Sequence, residues 1–184
     1  MTTILHVDSS INGDNSASRA VSYSIVEQLK SAQWGEQVVY RDLASEPLSH
    51  LTLDAFADTS VLEEFLAADT IVIGAPMYNF TLPSQLKAWI DRILIAGTTF
   101  RYTANGPEGL ATGKRVIIAL ARGGIYSEGS PAAPLEHLET YLRGVFNFIG
   151  IEPEFVIAEG LNLSPEQRTI SIEQALGETV RLAA

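Results

Sequence analysis

Three short stretches of this chain carry residue types better suited to holding a ligand than to filling a core. The first runs from Asp8 to Arg19 and is rich in hydroxyls. Ser10, Ser16 and Ser18 can donate hydrogen bonds to phosphate oxygens, and the amides around Ala17 open a helix whose positive end favours an anion. The pattern is neither GxxxxGKS/T nor GxGxxG, which disfavours a nucleoside triphosphate or a tightly held dinucleotide and suits a terminal monophosphate. The second stretch, Pro76-Met77-Tyr78-Asn79-Phe80, puts two aromatic rings and a thioether into one turn, a surface for a flat apolar partner. The third, Ala121-Arg122-Gly123-Gly124, ends in two glycines, where backbone can approach a ligand without Cβ interference. Each has a plainer reading. The serines can be N-caps, the aromatics can plug a sheet edge, and the glycines can serve only a tight turn.

All three stretches follow apolar runs that read as buried strands. Ile4-Leu5-His6-Val7 precedes the first, Thr70-Ile71-Val72-Ile73-Gly74-Ala75 the second and Lys114 to Ala121 the third; such runs suit a parallel sheet covered on both faces. Glu36 to Leu43 reads as an outer strand and Glu154 to Ala158 as the last one. Between them lie helical stripes: Val21, Ile25 and Leu29; Leu86, Trp89, Ile90, Ile93 and Leu94; Leu135, Leu138, Leu142, Val145, Phe146 and Ile149; and Ile172, Leu176 and Val180. Thr81 or Ser84 can cap the second of these, with Pro83 in its first turn, and Ser164-Pro165-Glu166-Gln167 forms a capping box for the last. Ala44 to Ala68 has poor periodicity and predicts loop, then a short helix around Val61 to Leu66. Five strands alternating with helices predict an α/β fold, a doubly wound five-stranded parallel sheet of order 2-1-3-4-5 with helices on both faces. In that order the first, third and fourth strands are neighbours, so the three stretches meet at one crevice.

Composition narrows the chemistry. At 184 residues the chain reads as one domain spanning 1–184. The absence of cysteine removes disulfides and thiolate chemistry, and His6, His50 and His137 lack metal-ligand spacing, so no metal is expected. A formal net charge of −10 opposes nucleic acid and anionic membranes as partners. No apolar run has membrane-spanning length, and the N-terminus lacks a basic segment, which points to the cytoplasm.

GAPMYNF, from Gly74 to Phe80, is followed by Gln85-Leu86-Lys87, then by Thr99-Phe100-Arg101-Tyr102-Thr103 and Asn105-Gly106-Pro107-Glu108-Gly109. Together these resemble the FMN-dependent NADH azoreductase and quinone reductase family, a branch of the flavodoxin-like fold. The resemblance covers almost the whole chain outside Ala44 to Ala68, where many relatives carry a longer segment, part of which overhangs the flavin. It implies bound FMN, with its phosphate at Ser10, Ser16, Ala17 and Ser18 and its ring flanked by Pro76, Met77, Tyr78, Asn79, Phe80, Ala121, Arg122, Gly123 and Gly124. It further implies NADH as donor and two-electron reduction of quinones and aromatic azo compounds by ping-pong hydride transfer. Amides of Asn79, Phe80, Gly123 and Gly124 would lower the cost of the negative charge that reduction places on the ring. Relatives typically have serine where this chain has Ala121, so one cofactor contact is expected to be weaker.

Phe100 and Tyr102, one residue apart, point to the same side of an extended segment. In the family this excursion approaches the neighbouring subunit's flavin, which implies a homodimer with sites at the interface; on spacing alone, the two rings serve equally well to tack the loop to its own domain. Phe148 matches the family position whose ring closes over the flavin from the partner chain. With Tyr126, these residues would stack or guide acceptors. Two other functions fit the residues less well: an acyl-carrier-protein phosphodiesterase-type hydrolase, a label that members of this family have sometimes carried, and a non-catalytic flavin-binding module.

Overall fold

The computed structural model describes residues 2–32 and 37–183. Five parallel strands form one sheet in the spatial order β2-β1-β3-β6-β7, where β1 is Thr3–Asp8, β2 Gln37–Asp42, β3 Thr70–Pro76, β6 Arg115–Ala121 and β7 Glu154–Ala158. The labels β4 (Phe100–Thr103) and β5 (Gly106–Gly109) belong to a separate antiparallel hairpin, so the sheet has the expected 2-1-3-4-5 order. β2 is one of the two edge strands, in keeping with its partial exposure, and β7 is the other; Glu36, the expected first residue of β2, lies outside the described residues.

Register divides the strand side chains between two cores. Leu5, Ile71 and Val116 align across β1, β3 and β6, as do Val7, Ile73 and Ile118, and all six belong to the larger core with Trp89, Leu142 and Phe146. Ile4, Val72, Ile117 and Ala119 face the other way, against Val21, Ile25 and Leu29 of helix α1 (Ala17–Ala32) and Ala175 of α6 (Pro165–Thr179). Each strand residue alternates faces, and each face has its own helical cover. The larger core takes in α3 (Ser60–Ala67), α4 (Ser84–Ile93) and α5 (Glu139–Phe148). Full burial of one such side chain stabilises by about 1.5–3 kcal/mol, so the stripes Leu86-Trp89-Ile90-Ile93 and Val21-Ile25-Leu29 suffice to seat α4 and α1.

Several local expectations change. Neither Thr81 nor Ser84 caps α4: the Thr81 hydroxyl donates to the His137 carbonyl, Ser84 to Gln85, and Pro83 holds the N-cap position. Leu135 stands outside α5 in a short 3₁₀ turn and is 45% exposed, because the Glu136 carboxylate takes the amides of Leu138, Glu139 and Thr140 and starts the helix there. Val180 is 57% exposed beyond the end of α6, whose buried face ends instead on Ala175 and Thr179. Ser164 does cap α6, accepting from the Gln167 amide at 3.1 Å. The aperiodic region holds a second helix, α2 (Leu53–Ala57), before α3.

The connection after α4 is the hairpin β4–β5 rather than an irregular loop. A Cβ on Gly109 would lie 2.1 Å from the Gly150 amide nitrogen, so only glycine lets the hairpin base pack against the end of α5. The Ala111 amide fastens it there, donating to the Ile149 carbonyl at 3.0 Å.

Candidate functional site

Because β1, β3 and β6 are adjacent, their carboxyl ends lie side by side, with Asp8 opposite Gly74 and Pro76 opposite Ala121. A cavity of about 170 Å³ opens there, lined by Ser10, Asn12, Asn15, Ser16 and Ala17, by Pro76, Met77 and Tyr78, by Ala121 and Gly123, and by Leu161, Asn162 and Arg168. The three stretches therefore share one mouth, where open α/β sheets bind ligands. A wider cavity of about 420 Å³ shares Met77, Gly123 and Asn162 with it and adds Asn79, Phe80, Gly124, Tyr126 and Leu163. A narrow recess at a helix start beside a broader one suits a phosphate tail and a planar head.

The first turn is held by a buried polar network. Ser9 donates through both its amide (3.2 Å) and its hydroxyl (2.8 Å) to the Gly74 carbonyl. Arg19 grips the Ser10 carbonyl (Nη2, 2.8 Å), Asp42 Oδ1 (Nη2, 2.7 Å) and the Tyr40 hydroxyl (Nη1, 2.9 Å). Behind it Asp8, almost fully buried, accepts from Ser22 (2.8 Å) and Tyr40 (3.2 Å), with His6 Nε2 3.4 Å away. Asp8 thus ties β1 to α1 and β2 beneath the loop, and His6 belongs to the same buried network, which also places its Nε2 3.0 Å from Ser22 Oγ. The Arg19 hydrogen bond holds the Asp42 carboxyl below its usual range, and burial with the Asp8 charge pushes the Tyr40 phenol up to about 12. A Cβ on Gly74 would fall 2.1 Å from Asp8 Oδ1, so glycine in β3 is what makes room for this network. At the start of α1, Ser16 Oγ and Ser18 Oγ lie 3.1 Å apart, and the Ala17 and Ser18 amides find no protein acceptor among the described residues.

The second turn is joined to the first by Tyr78, whose hydroxyl accepts from the Ile11 amide (3.1 Å) and lies 3.3 Å from Ser10 Oγ. Tyr78 thus lines the mouth while bracing the serine turn, a structural link that the residue's place in an aromatic stretch did not reveal. Tyr78 and Thr81 exchange backbone hydrogen bonds of 2.9 and 3.1 Å, closing a two-residue turn with Asn79 at φ +48° and Phe80 at φ +74°. Asparagine tolerates that region; a phenylalanine there costs about 1–3 kcal/mol and persists only where its surroundings hold it, a pattern that clusters at binding sites. The Phe80 carbonyl accepts from His137, and the Phe80 ring meets Tyr126 edge-on at 6.4 Å.

The third turn is braced from an unexpected direction. A Cβ on Gly123 would lie 2.4 Å from Asn162 Nδ2, and one on Gly124 would lie 3.2 Å from the Tyr126 ring. These side chains occupy the space over the glycines: a Cβ at Gly123 would force Asn162 to shift, and one at Gly124 would crowd the Tyr126 ring. The segment after β7 runs alongside: the Leu161, Asn162 and Gly160 amides donate to the carbonyls of Arg122, Gly123 and Gly124. Arg122 contributes only backbone to this turn, because its guanidinium is buried away from the mouth, 2.7 Å from Glu139, 3.4 Å from Glu136 and 3.6 Å from Glu159.

Four amides, those of Asn79, Phe80, Gly123 and Gly124, have no acceptor among the described residues. Unpaired donors around the wide cavity and hydroxyls with free helix amides around the narrow one fit a planar ring with a polar edge and a phosphate tail. Phe100, Tyr102 and Phe148 form a cluster of their own: Phe100 lies 4.6 Å from Phe148 and 5.6 Å from Tyr102 between ring centroids, and neither cavity of the mouth is lined by any of the three. Asn162 and Arg168 carry no site pattern in the sequence: Asn162 lies in the unpatterned segment before the capping box, and Arg168 follows the box as one residue of a helix turn. Arg19 was legible only as the end of the serine stretch.

A family described as having the flavodoxin-like fold matches residues 2–182. FMN-dependent NADH:quinone oxidoreductase 2 of Bradyrhizobium diazoefficiens is 53% identical over 98% of both chains, and an FMN-dependent NADH:quinone oxidoreductase of Rhizobium meliloti is 54% identical over 94% of this chain and 92% of its own. This chain belongs to the FMN-dependent NADH:quinone oxidoreductase and azoreductase family. Its backbone also superposes on an azoreductase from Bacillus anthracis at a TM-score of 0.90, with 32% identity over 100% and 99% of the two chains. An FMN-dependent NADH-azoreductase from the same species, in complex with FMN, gives a TM-score of 0.87 at 28% identity, covering 100% of this chain and 98% of that one. Family membership and fold thus agree with the sequence resemblance, including its 2-1-3-4-5 sheet order.

Proposed function

We propose that the three-turn mouth binds FMN and that the protein uses NADH to reduce quinones and aromatic azo compounds by ping-pong hydride transfer. The observation that carries this reading is the single cavity lined by all three turns, contiguous with a wider one bordered by unpaired amides. When bound, FMN supplies the redox chemistry, accepting a hydride from the nicotinamide and yielding it to the acceptor.

The protein's own residues do the rest. Ser10, Ser16 and Ser18 with the Ala17 and Ser18 amides hold the phosphate, while the dipole of α1 favours its charge. Met77 and Phe80 supply apolar surface at the mouth, and the amides of Asn79, Phe80, Gly123 and Gly124 stabilise negative charge where it develops. Those donors are fixed before any ligand arrives, so their orientation costs nothing at the moment of reaction. Ala121 lines the phosphate cavity without a hydroxyl, leaving backbone donors to hold that side.

The same reading makes the protein a homodimer. The hairpin carries Phe100 and Tyr102, with Tyr102 74% exposed, and would bring them and Phe148 to the partner's site, where with Tyr126 they guide flat acceptors. Among the described residues no helix is long and apolar enough to cross a membrane, consistent with a cytoplasmic place of action. Absorbance of the purified protein tests the function. A yellow sample that bleaches anaerobically with NADH and recolours with a quinone supports it; a colourless protein that takes up no added FMN contradicts it, and a bound flavin that NADH cannot bleach leaves only a binding module.

A further inference from the structure

Arg168 is the only charged residue lining the narrow cavity at the serine turn. It sits in the first turn of α6, where a cation opposes the helix dipole, so helix stability gives no reason for it. Its Nη2 donates to the Asn15 carbonyl at 2.7 Å, which holds the guanidinium over the serine turn, and its other donors find no acceptor among the described residues. Arg19, Arg41, Arg101, Arg115, Arg122 and Arg143 each have a carboxylate within 3.0 Å, whereas Arg168 has none within 4.0 Å among the described residues. Arg19 cannot serve in its place, because Asp42 already neutralises it. In a chain of formal net charge −10, a local cation at the seat of a dianionic ligand tail offsets the repulsion of the surrounding carboxylates.

We infer that Arg168 reaches across from the last helix to pair with the flavin phosphate and sets the preference of the site for FMN over flavins without a phosphate. The inference rests on the proposed flavin site. One Arg168 donor stays on Asn15 and fixes the fork; the remaining N–H groups face the phosphate oxygens as charge-assisted donors.

The test titrates apo-protein with FMN and with riboflavin, following flavin fluorescence, at about 0.01 M and about 1 M salt, between which the screening length falls from about 30 to about 3 Å. For Arg168→Gln the expected result is FMN binding about tenfold weaker at low salt, a deficit that shrinks at high salt, and riboflavin binding within about twofold of wild type. Arg168→Lys, which keeps the charge, should recover part of the loss. An equal loss for both flavins, or an FMN deficit of the same size at both salt concentrations, would mean that Arg168 only shapes the Asn15 turn and would overturn the inference. Wild-type protein that binds neither flavin would overturn the flavin site itself, and the inference with it.

Discussion

The mouth of the sheet and the aromatic hairpin contrast in how they are determined. At the mouth, turns distant in sequence share a cavity because β1, β3 and β6 are neighbours, and each turn is braced by another: Tyr78 holds the serine turn, and Asn162 packs on Gly123. The hairpin is fixed only at its base, where Phe100 packs on Phe148 and Gly109 on Gly150, and its tip presents Tyr102 to solvent. The first region is built from turns of one chain. The second offers a surface whose use depends on something else meeting it. Substitutions at the mouth should therefore change flavin binding, and substitutions at the hairpin should change acceptor kinetics or assembly while leaving flavin binding intact.

The largest effect is expected from Gly123→Val. The new side chain collides with Asn162 and displaces the third turn, so FMN affinity should fall by about a hundredfold or more, the equivalent of roughly 3 kcal/mol. Isothermal titration of a variant with native circular dichroism checks this, and normal FMN content in that variant would show that the turn does not border the ring.

Asn79→Ala should cost about tenfold in FMN affinity, combining loss of the side-chain amide with the strain of alanine at φ +48°. Asn79→Gly separates the two contributions, because it removes the amide and relieves the strain; if it binds FMN as wild type does, the Asn79 side chain has no part in recognition. Phe80→Gly sharpens the same point from the stability side. Its backbone relaxes at φ +74° and its half-exposed ring gives up little burial, so the apo-protein should melt at an equal or higher temperature while FMN binds several-fold more weakly.

Tyr78→Phe removes the hydroxyl that braces Ile11 and Ser10, a hydrogen bond worth about 0.5–1.5 kcal/mol, so FMN should bind about threefold to tenfold more weakly and riboflavin less so. The smallest effect on the flavin belongs to Tyr102→Ala, at a residue 74% exposed: FMN affinity should stay within about twofold while KM for a quinone rises or the sedimentation coefficient falls. A tenfold loss of FMN affinity there would erase the distinction between the two regions.

Sheet order, the two cores and the convergence of the three turns were legible because apolar periodicity and strand adjacency determine them. What lay beyond reach was tertiary. Phe80 at positive φ violates local preference; the Tyr78–Thr81 backbone pair that closes its turn, the His137 amide on its carbonyl and the Tyr126 ring hold it there. Glu136 starts α5 from outside the usual cap position, so the apolar stripe alone placed the helix start too early, at Leu135. Arg122 appeared at the right end of the right strand, yet three glutamates draw its side chain to the far side. Asn162 joins the mouth from a segment without a signature and Arg168 from the first turn of α6, because which elements pass the third turn after β7 is a matter of packing rather than pattern.

On the proposed reading one mouth seats one flavin, phosphate at the serine turn and ring between Met77–Phe80 and Gly123–Gly124. A crystal structure of the protein soaked with FMN tests it most directly. Phosphate density is expected within hydrogen-bond reach of Ser16, Ala17 and Ser18, and ring density against the Asn79 and Gly124 amides. Flavin bound elsewhere, for instance in the recess lined by Arg122, Glu128, Glu139 and Glu159, with the three turns empty, would contradict it.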